Sequence, residues 1–114
     1  MRIMKSDGFL RRHMQADLNI PEEILQRVQN GLPIVYPTST LPALGCLPIP
    51  EALDLLFEVK HRDRLKIVSL GVESLQQASE LVHIPHEAEK ILSDFEPGSL
   101  TLILPAKKSL DSRL

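Results

Sequence analysis

Leu32-Pro33-Ile34-Val35-Tyr36-Pro37-Thr38-Ser39-Thr40 is the stretch on which the reading of this chain turns. Leu32 to Tyr36 is a short apolar run bounded by Asn30-Gly31 before it and Pro37 after it. Such a run between turn signals reads as a buried strand. From Pro37 to Pro50 the chain holds four prolines and one glycine. Proline removes a backbone donor and fixes φ, so this part is expected to be a long shaped loop and not a regular helix.

Working outward, Pro21 to Gln29 reads as a short helix. Proline suits its first turn, Glu22 and Glu23 suit the positive end of the dipole, and Ile24, Leu25 and Val28 give one apolar face. Residues 1–19 carry no clear periodicity and read as a frayed arm, an extension or an edge strand, so residues 1–20 are set apart as an N-terminal arm. After the loop, Glu51 to Lys60 reads as a second helix with Leu53, Leu56 and Phe57 inward. Lys66 to Leu70 reads as a strand. Ser74 with Gln77 suggests a capping box for a third helix with Leu75, Ala78, Leu81 and Val82 on its apolar face. Pro85 starts a fourth, with Ala88, Ile91, Leu92 and Phe95 inward, broken by Pro97-Gly98. Leu100 to Leu104 reads as a last strand. Helices alternating with strands imply an α/β domain with right-handed crossovers.

Composition narrows the classes. The 114 residues suit one domain, and 43% apolar with 25% charged residues is a globular balance. No run approaches the roughly 20 apolar residues of a membrane helix, and no membrane partner is expected. The basic N-terminus at Arg2, Lys5, Arg11 and Arg12 is followed by no apolar stretch, which argues against a secretory signal. Cys46 is the lone cysteine, so an intramolecular disulfide is excluded and a reducing cytoplasm is the natural compartment. The formal charge of −2 does not announce a nucleic-acid binder. Local basic clusters remain at Lys60, Arg62, Arg64 and Lys66, and at Lys107, Lys108 and Arg113. The four histidines show no metal spacing; His83 and His86 are separated by Pro85 and no further ligand completes a set. Cys46 reads as a small buried residue, because no activating neighbour is evident.

Three motifs occur in order: Tyr36-Pro37-Thr38-Ser39-Thr40 with Ala43-Leu44-Gly45-Cys46, then Lys60-His61-Arg62, then Pro97-Gly98-Ser99-Leu100-Thr101-Leu102. Together they resemble the YrdC-like, threonylcarbamoyl-AMP synthase-like family over roughly residues 21 to 114. The Ala-Leu-Gly-Cys variant resembles its YciO branch. The resemblance implies a twisted mixed sheet with flanking helices, here a partial domain over 21–114. It implies condensation of L-threonine, bicarbonate and ATP into threonylcarbamoyl-AMP, with ATP as substrate carrying Mg²⁺, for modification of adenosine 37 in tRNA. An alternative is a non-catalytic module binding tRNA or double-stranded RNA.

By resemblance, Lys60, Arg62 and Lys66 hold the nucleotide and Thr40 sits where the family contacts L-threonine, with the Thr38 hydroxyl in the same loop a further candidate for its polar groups; no residue is assigned to catalysis itself and none to a metal. Arginine grips phosphate bidentately and lysine serves as a point charge. The plainer reading of the cations is a solvated cluster near a helix C-terminus, and that of the threonines is turn chemistry. Thr101 is read first as a strand residue. The sequence departs from the family pattern where Ser39 replaces an acidic residue, Pro42 a tyrosine and Ala43 a glycine, and where Asp63 and Ile67 replace prolines. The family domain continues past this point into later strands with a further arginine and a Ser-x-Asn segment, so this shortened chain is expected to hold roughly half of the pocket, and inactivity is one expected outcome. A strand at 100–104 would then offer an open edge, for which a homodimer is one expected outcome.

Overall fold

The computed structural model describes residues 2–5, 20–38, 40–96, 98–107 and 110–114, with side chains from residue 20 onward. In chain order its elements are β1 (Arg2–Lys5), α1 (Glu22–Gln29), β2 (Ile34–Tyr36), β3 (Ala43–Gly45), α2 (Pro50–Val59), β4 (Ser69–Val72), α3 (Leu75–Leu81), α4 (His86–Ser93) and β5 (Thr101–Ile103). Three strands make a mixed sheet in the order β4-β1-β5. β1 runs parallel to β4, with Arg2 opposite Ser69, and antiparallel to β5, with Arg2 opposite Ile103. β2 and β3 form a separate antiparallel pair in which Tyr36 faces Ala43 and Ile34 faces Gly45. The α/β class with a mixed sheet and flanking helices is as expected.

Two expectations need correction. Residues 2–5 are neither a frayed arm nor an edge strand; they are the middle strand of the larger sheet. The loop at 37–50 contains a strand, β3. Ala43-Leu44-Gly45 has no β-branched residue and carries a glycine, so its intrinsic preference for extended structure is weak. Pairing with β2 supplies what local preference does not, and the prolines at 42 and 48 flank the strand without interrupting it.

The helices follow their terminal signals. α1 ends in a left-handed turn at Gly31 (φ 75°), where the Gly31 N–H reaches the Val28 carbonyl and the Leu32 N–H that of Arg27. These two bonds make a Schellman cap, which favours glycine at this position. On α1, Ile24 and Val28 are half-buried, whereas Leu25 is exposed. At α3 the Ser74 hydroxyl accepts from the Gln77 N–H at 3.2 Å. Gln77 reaches back to accept from the Glu73 N–H at 2.7 Å, one residue before the cap.

The interior divides into two groups. α2 buries Ala52, Leu53, Leu56 and Phe57, a stripe at helical spacing. Burying each of the large side chains is worth about 1.5–3 kcal/mol. Val72 of β4 meets Ala78 and Val82, with Leu81, Ile84 and Leu104 packed against them. On α4 only Ala88 is fully buried; Ile91 and Phe95, expected inward, are exposed. β4 starts at Ser69 and not at Lys66, because the backbone of residues 66–68 is taken up otherwise. The Lys66 and Ile67 carbonyls accept from Arg62, and the Val68 N–H donates to the Arg113 carbonyl.

Candidate functional site

The end of α2 is a second Schellman cap. The His61 N–H donates to the Glu58 carbonyl and the Arg62 N–H to that of Phe57, at 3.0 and 2.9 Å. His61, the residue in the left-handed position, has φ 48°. Reversing the chain there sends Lys60 and Arg62 to the same side of the turn, into a cleft of about 260 Å³. The cleft is also lined by Tyr36, Ala43, Leu44 and Gly45 of the β2–β3 pair, by Cys46 just after it, by Leu56, and by Ile67, Val68 and Ser69. Gly45 permits this lining: a Cβ there would lie 2.6 Å from Cε1 of the Tyr36 ring. Most small-molecule sites enclose roughly 300–1,000 Å³, so the cleft is of a size for part of a nucleotide.

Lys60 is exposed and Arg62 half-buried. Arg62 donates from Nη2 to the Ile67 carbonyl at 2.8 Å and from Nε to that of Lys66 at 3.4 Å, and its Cζ lies 5.9 Å from the Phe57 ring centre. The fork is therefore partly spent on the protein itself. Burial pushes the Cys46 thiol up, and the Arg113 guanidinium pulls it back less strongly.

The remaining candidates lie elsewhere. Lys66 is exposed and does not line the cleft; it enters the site through its carbonyl. The Thr38 hydroxyl donates to the Leu41 carbonyl at 2.5 Å and accepts from the Thr40 N–H at 3.3 Å, which is turn chemistry. Thr40 is exposed, and neither threonine lines the cleft. Ser39, Pro97 and Lys108 lie outside the described residues. Thr101 sits in β5, away from the cleft. Among the described residues no group of three His, Cys, Asp or Glu is placed to hold a metal ion, and no helix is long and apolar enough to cross a membrane.

Of the second basic cluster, two members are committed to structure. Lys107 Nζ donates to the Ser79 carbonyl at 2.7 Å. Arg113 forks Asp111 at 2.8 and 2.7 Å, reaches Asp54 at 2.6 Å, and lies 5.7 Å from the Phe57 ring centre. Arg113 and Phe57 were not legible as site residues. Asp54 and Arg113 are 59 positions apart, and no local pattern announces their meeting.

An α/β domain whose strand–loop–strand pair and Lys-x-Arg helix end line one cleft defines the class of protein. Residues 26–114 match the family model described as Telomere recombination, which covers the Sua5, YciO and YrdC proteins, and the chain belongs to this family. It is 35% identical over 80 residues to a threonylcarbamoyl-AMP synthase of Pyrococcus abyssi, covering 68% of this chain and 24% of that protein. It is 33% identical over 89 residues to the synthase of Vibrio campbellii, covering 75% and 48%, and 29% identical over 98 residues to that of Photobacterium profundum, covering 82% and 52%. The chain thus spans between a quarter and about half of these relatives. No solved structure matches it significantly.

Proposed function

We propose that this chain supplies the phosphate-binding part of a threonylcarbamoyl-AMP synthase-type site, in which ATP, L-threonine and bicarbonate give threonylcarbamoyl-AMP, pyrophosphate and water for tRNA modification in the cytoplasm. The observation that carries the reading is the convergence of Lys60 and Arg62 on the cleft, in a chain whose relatives bear the synthase name. In the reaction a carboxylate oxygen of N-carboxythreonine bonds to the α-phosphorus, and the bond from that phosphorus to the pyrophosphate oxygen breaks. Negative charge spreads over the phosphoryl oxygens as this happens, and fixed cations there lower the barrier. Lys60 is the mobile point charge, and Arg62 offers the donors it does not spend on Ile67 and Lys66. Among the described residues the cleft lining offers cations and no carboxylate, which suits Mg²⁺ arriving bound to the triphosphate. Lys66 gives longer-range attraction from the loop, and Thr40, with Thr38 shaping its turn, takes the polar groups of L-threonine.

One observation favours a second reading, an RNA-binding module: Lys60, Arg64 and Lys66 are all exposed on one short segment. The two readings part in titration. On the synthase reading Mg–ATP binds, and L-threonine binds more tightly with ATP present. If instead duplex RNA binds with an affinity that falls steeply with salt while ATP and threonine give no heat, the module reading replaces it.

A further inference from the structure

We infer that Arg113 is a positioning residue for Arg62, holding it through one peptide group and one aromatic ring; this rests on Lys60 and Arg62 receiving the phosphates. The peptide group is the one joining Ile67 to Val68. Its N–H donates to the Arg113 carbonyl at 2.7 Å, and its C=O accepts from Arg62 Nη2 at 2.8 Å. A peptide unit is planar and stiff, so fixing one side fixes the direction of the other. A donated N–H also polarises the carbonyl of the same group and strengthens what that carbonyl accepts. The ring is Phe57, 2% exposed, with the Arg113 and Arg62 guanidinium carbons 5.7 and 5.9 Å from its centre. Both lie within the roughly 6 Å over which a cation is drawn to an aromatic face.

Arg113 is suited to act as the fixed member. Its side chain is 11% exposed. Besides the fork to Asp111 and the bond to Asp54, Nη2 reaches the Pro50 carbonyl at 3.2 Å, and its own N–H donates to Asp111 Oδ1 at 3.0 Å. The residue thus joins the start of α2 to the segment before β4, and the end of α2 carries Arg62. Arg62 has two backbone bonds and the ring; the Val68 N–H bonds the main-chain carbonyl of Arg113, which the Arg113 side chain holds in place through Asp111, Asp54 and Pro50, so loss of that side chain loosens the anchor of the peptide group that holds Arg62.

The test uses the full chain with Arg113→Gln and, as a milder change that keeps the charge, Arg113→Lys. Mg–ATP affinity is measured for each, alone and combined with Arg62→Ala, and the guanidinium ¹⁵N–¹H signals of Arg62 are recorded without ligand. Arg113→Gln should weaken ATP binding roughly five- to tenfold, with Arg113→Lys between it and wild type, and the loss should vanish in the Arg62→Ala background, since residues acting through one another are not additive. Separate Arg62 Nη signals in the wild type should merge as the side chain is released. An equal loss with Arg62 absent, or a folded Arg113→Gln protein that binds as wild type, overturns the inference. If wild type itself does not bind ATP, the proposed function fails, and the Arg62 signals alone decide: an Arg62 spectrum untouched by Arg113→Gln, or by Arg113→Lys should the first not fold, refutes the positioning role.

Discussion

His61→Gly should stabilise the protein, against the expectation that replacing a residue in a functional motif weakens it. His61 sits at φ 48°, in the left-handed region, as the turning residue of the cap that ends α2. A residue with a Cβ is disfavoured there by roughly 1–2 kcal/mol, although histidine tolerates the region better than branched residues do. Glycine removes that strain but loses roughly 0.5–1 kcal/mol through its more flexible unfolded chain. The balance is a gain of about 1 kcal/mol. In a domain near 100 residues this raises Tm by about 4 °C or slightly more. Urea unfolding followed by circular dichroism should show a higher midpoint at unchanged slope. His61→Ala, which keeps the Cβ, should gain almost nothing. A neutral or destabilising His61→Gly, or equal gains from glycine and alanine, would refute the argument that backbone geometry dominates at this position.

Three further outcomes follow from the site's geometry. Gly45→Ala places a methyl where the Tyr36 ring now lies, 2.6 Å from Cε1, and should cost about 1–3 kcal/mol in urea unfolding, less when combined with Tyr36→Ala; an unchanged stability would show that the ring yields freely. The Arg113 fork lowers the Asp111 carboxyl from its ordinary 3.8 to about 2, so its contribution to stability is complete above about pH 5 and fades as pH falls through 4 towards 2. Asp111→Asn should flatten the stability profile over that acid window, modestly because the pair is partly solvated, and an identical profile would contradict the assignment. The raised Cys46 thiol should be alkylated more slowly in the folded protein than in urea at neutral pH, and more slowly still with Mg–ATP in the cleft; alkylation faster in the folded state would mean an activated thiolate.

The sequence was most readable where periodic apolar spacing and terminal signals agreed. The stripe Leu53, Leu56, Phe57 on α2 and the Ser74–Gln77 cap of α3 depend on residues no more than four positions apart, and both are present. β1 and β3 were not readable, because short strands owe their existence to partners distant in the chain. Arg2–Lys5 pairs with residues near 70 and 102, and Ala43–Gly45 has little preference of its own. The site divides in the same way. Lys60 and Arg62 stand out because a helix end and its turn are local. What Arg62 is bonded to, and what Arg113 holds, comes from contacts that reach from 2 to 63 residues along the chain, in a combination that no spacing rule encodes. Ile91 and Phe95 satisfy helical periodicity yet lie exposed, since a periodic stripe names a face and not what covers it.

Titration of Mg–ATP into the wild-type chain, Lys60→Ala and Lys66→Ala tests the central claim most directly. Lys60 is exposed and lines the cleft, whereas Lys66 is exposed outside it. The account expects wild type to bind, Lys60→Ala to lose affinity roughly tenfold, as befits a charged contact worth about 1.5 kcal/mol, and Lys66→Ala to lose far less. Equal losses in the two variants, or no heat from wild type, would contradict a phosphate site in the Lys60–Arg62 cleft.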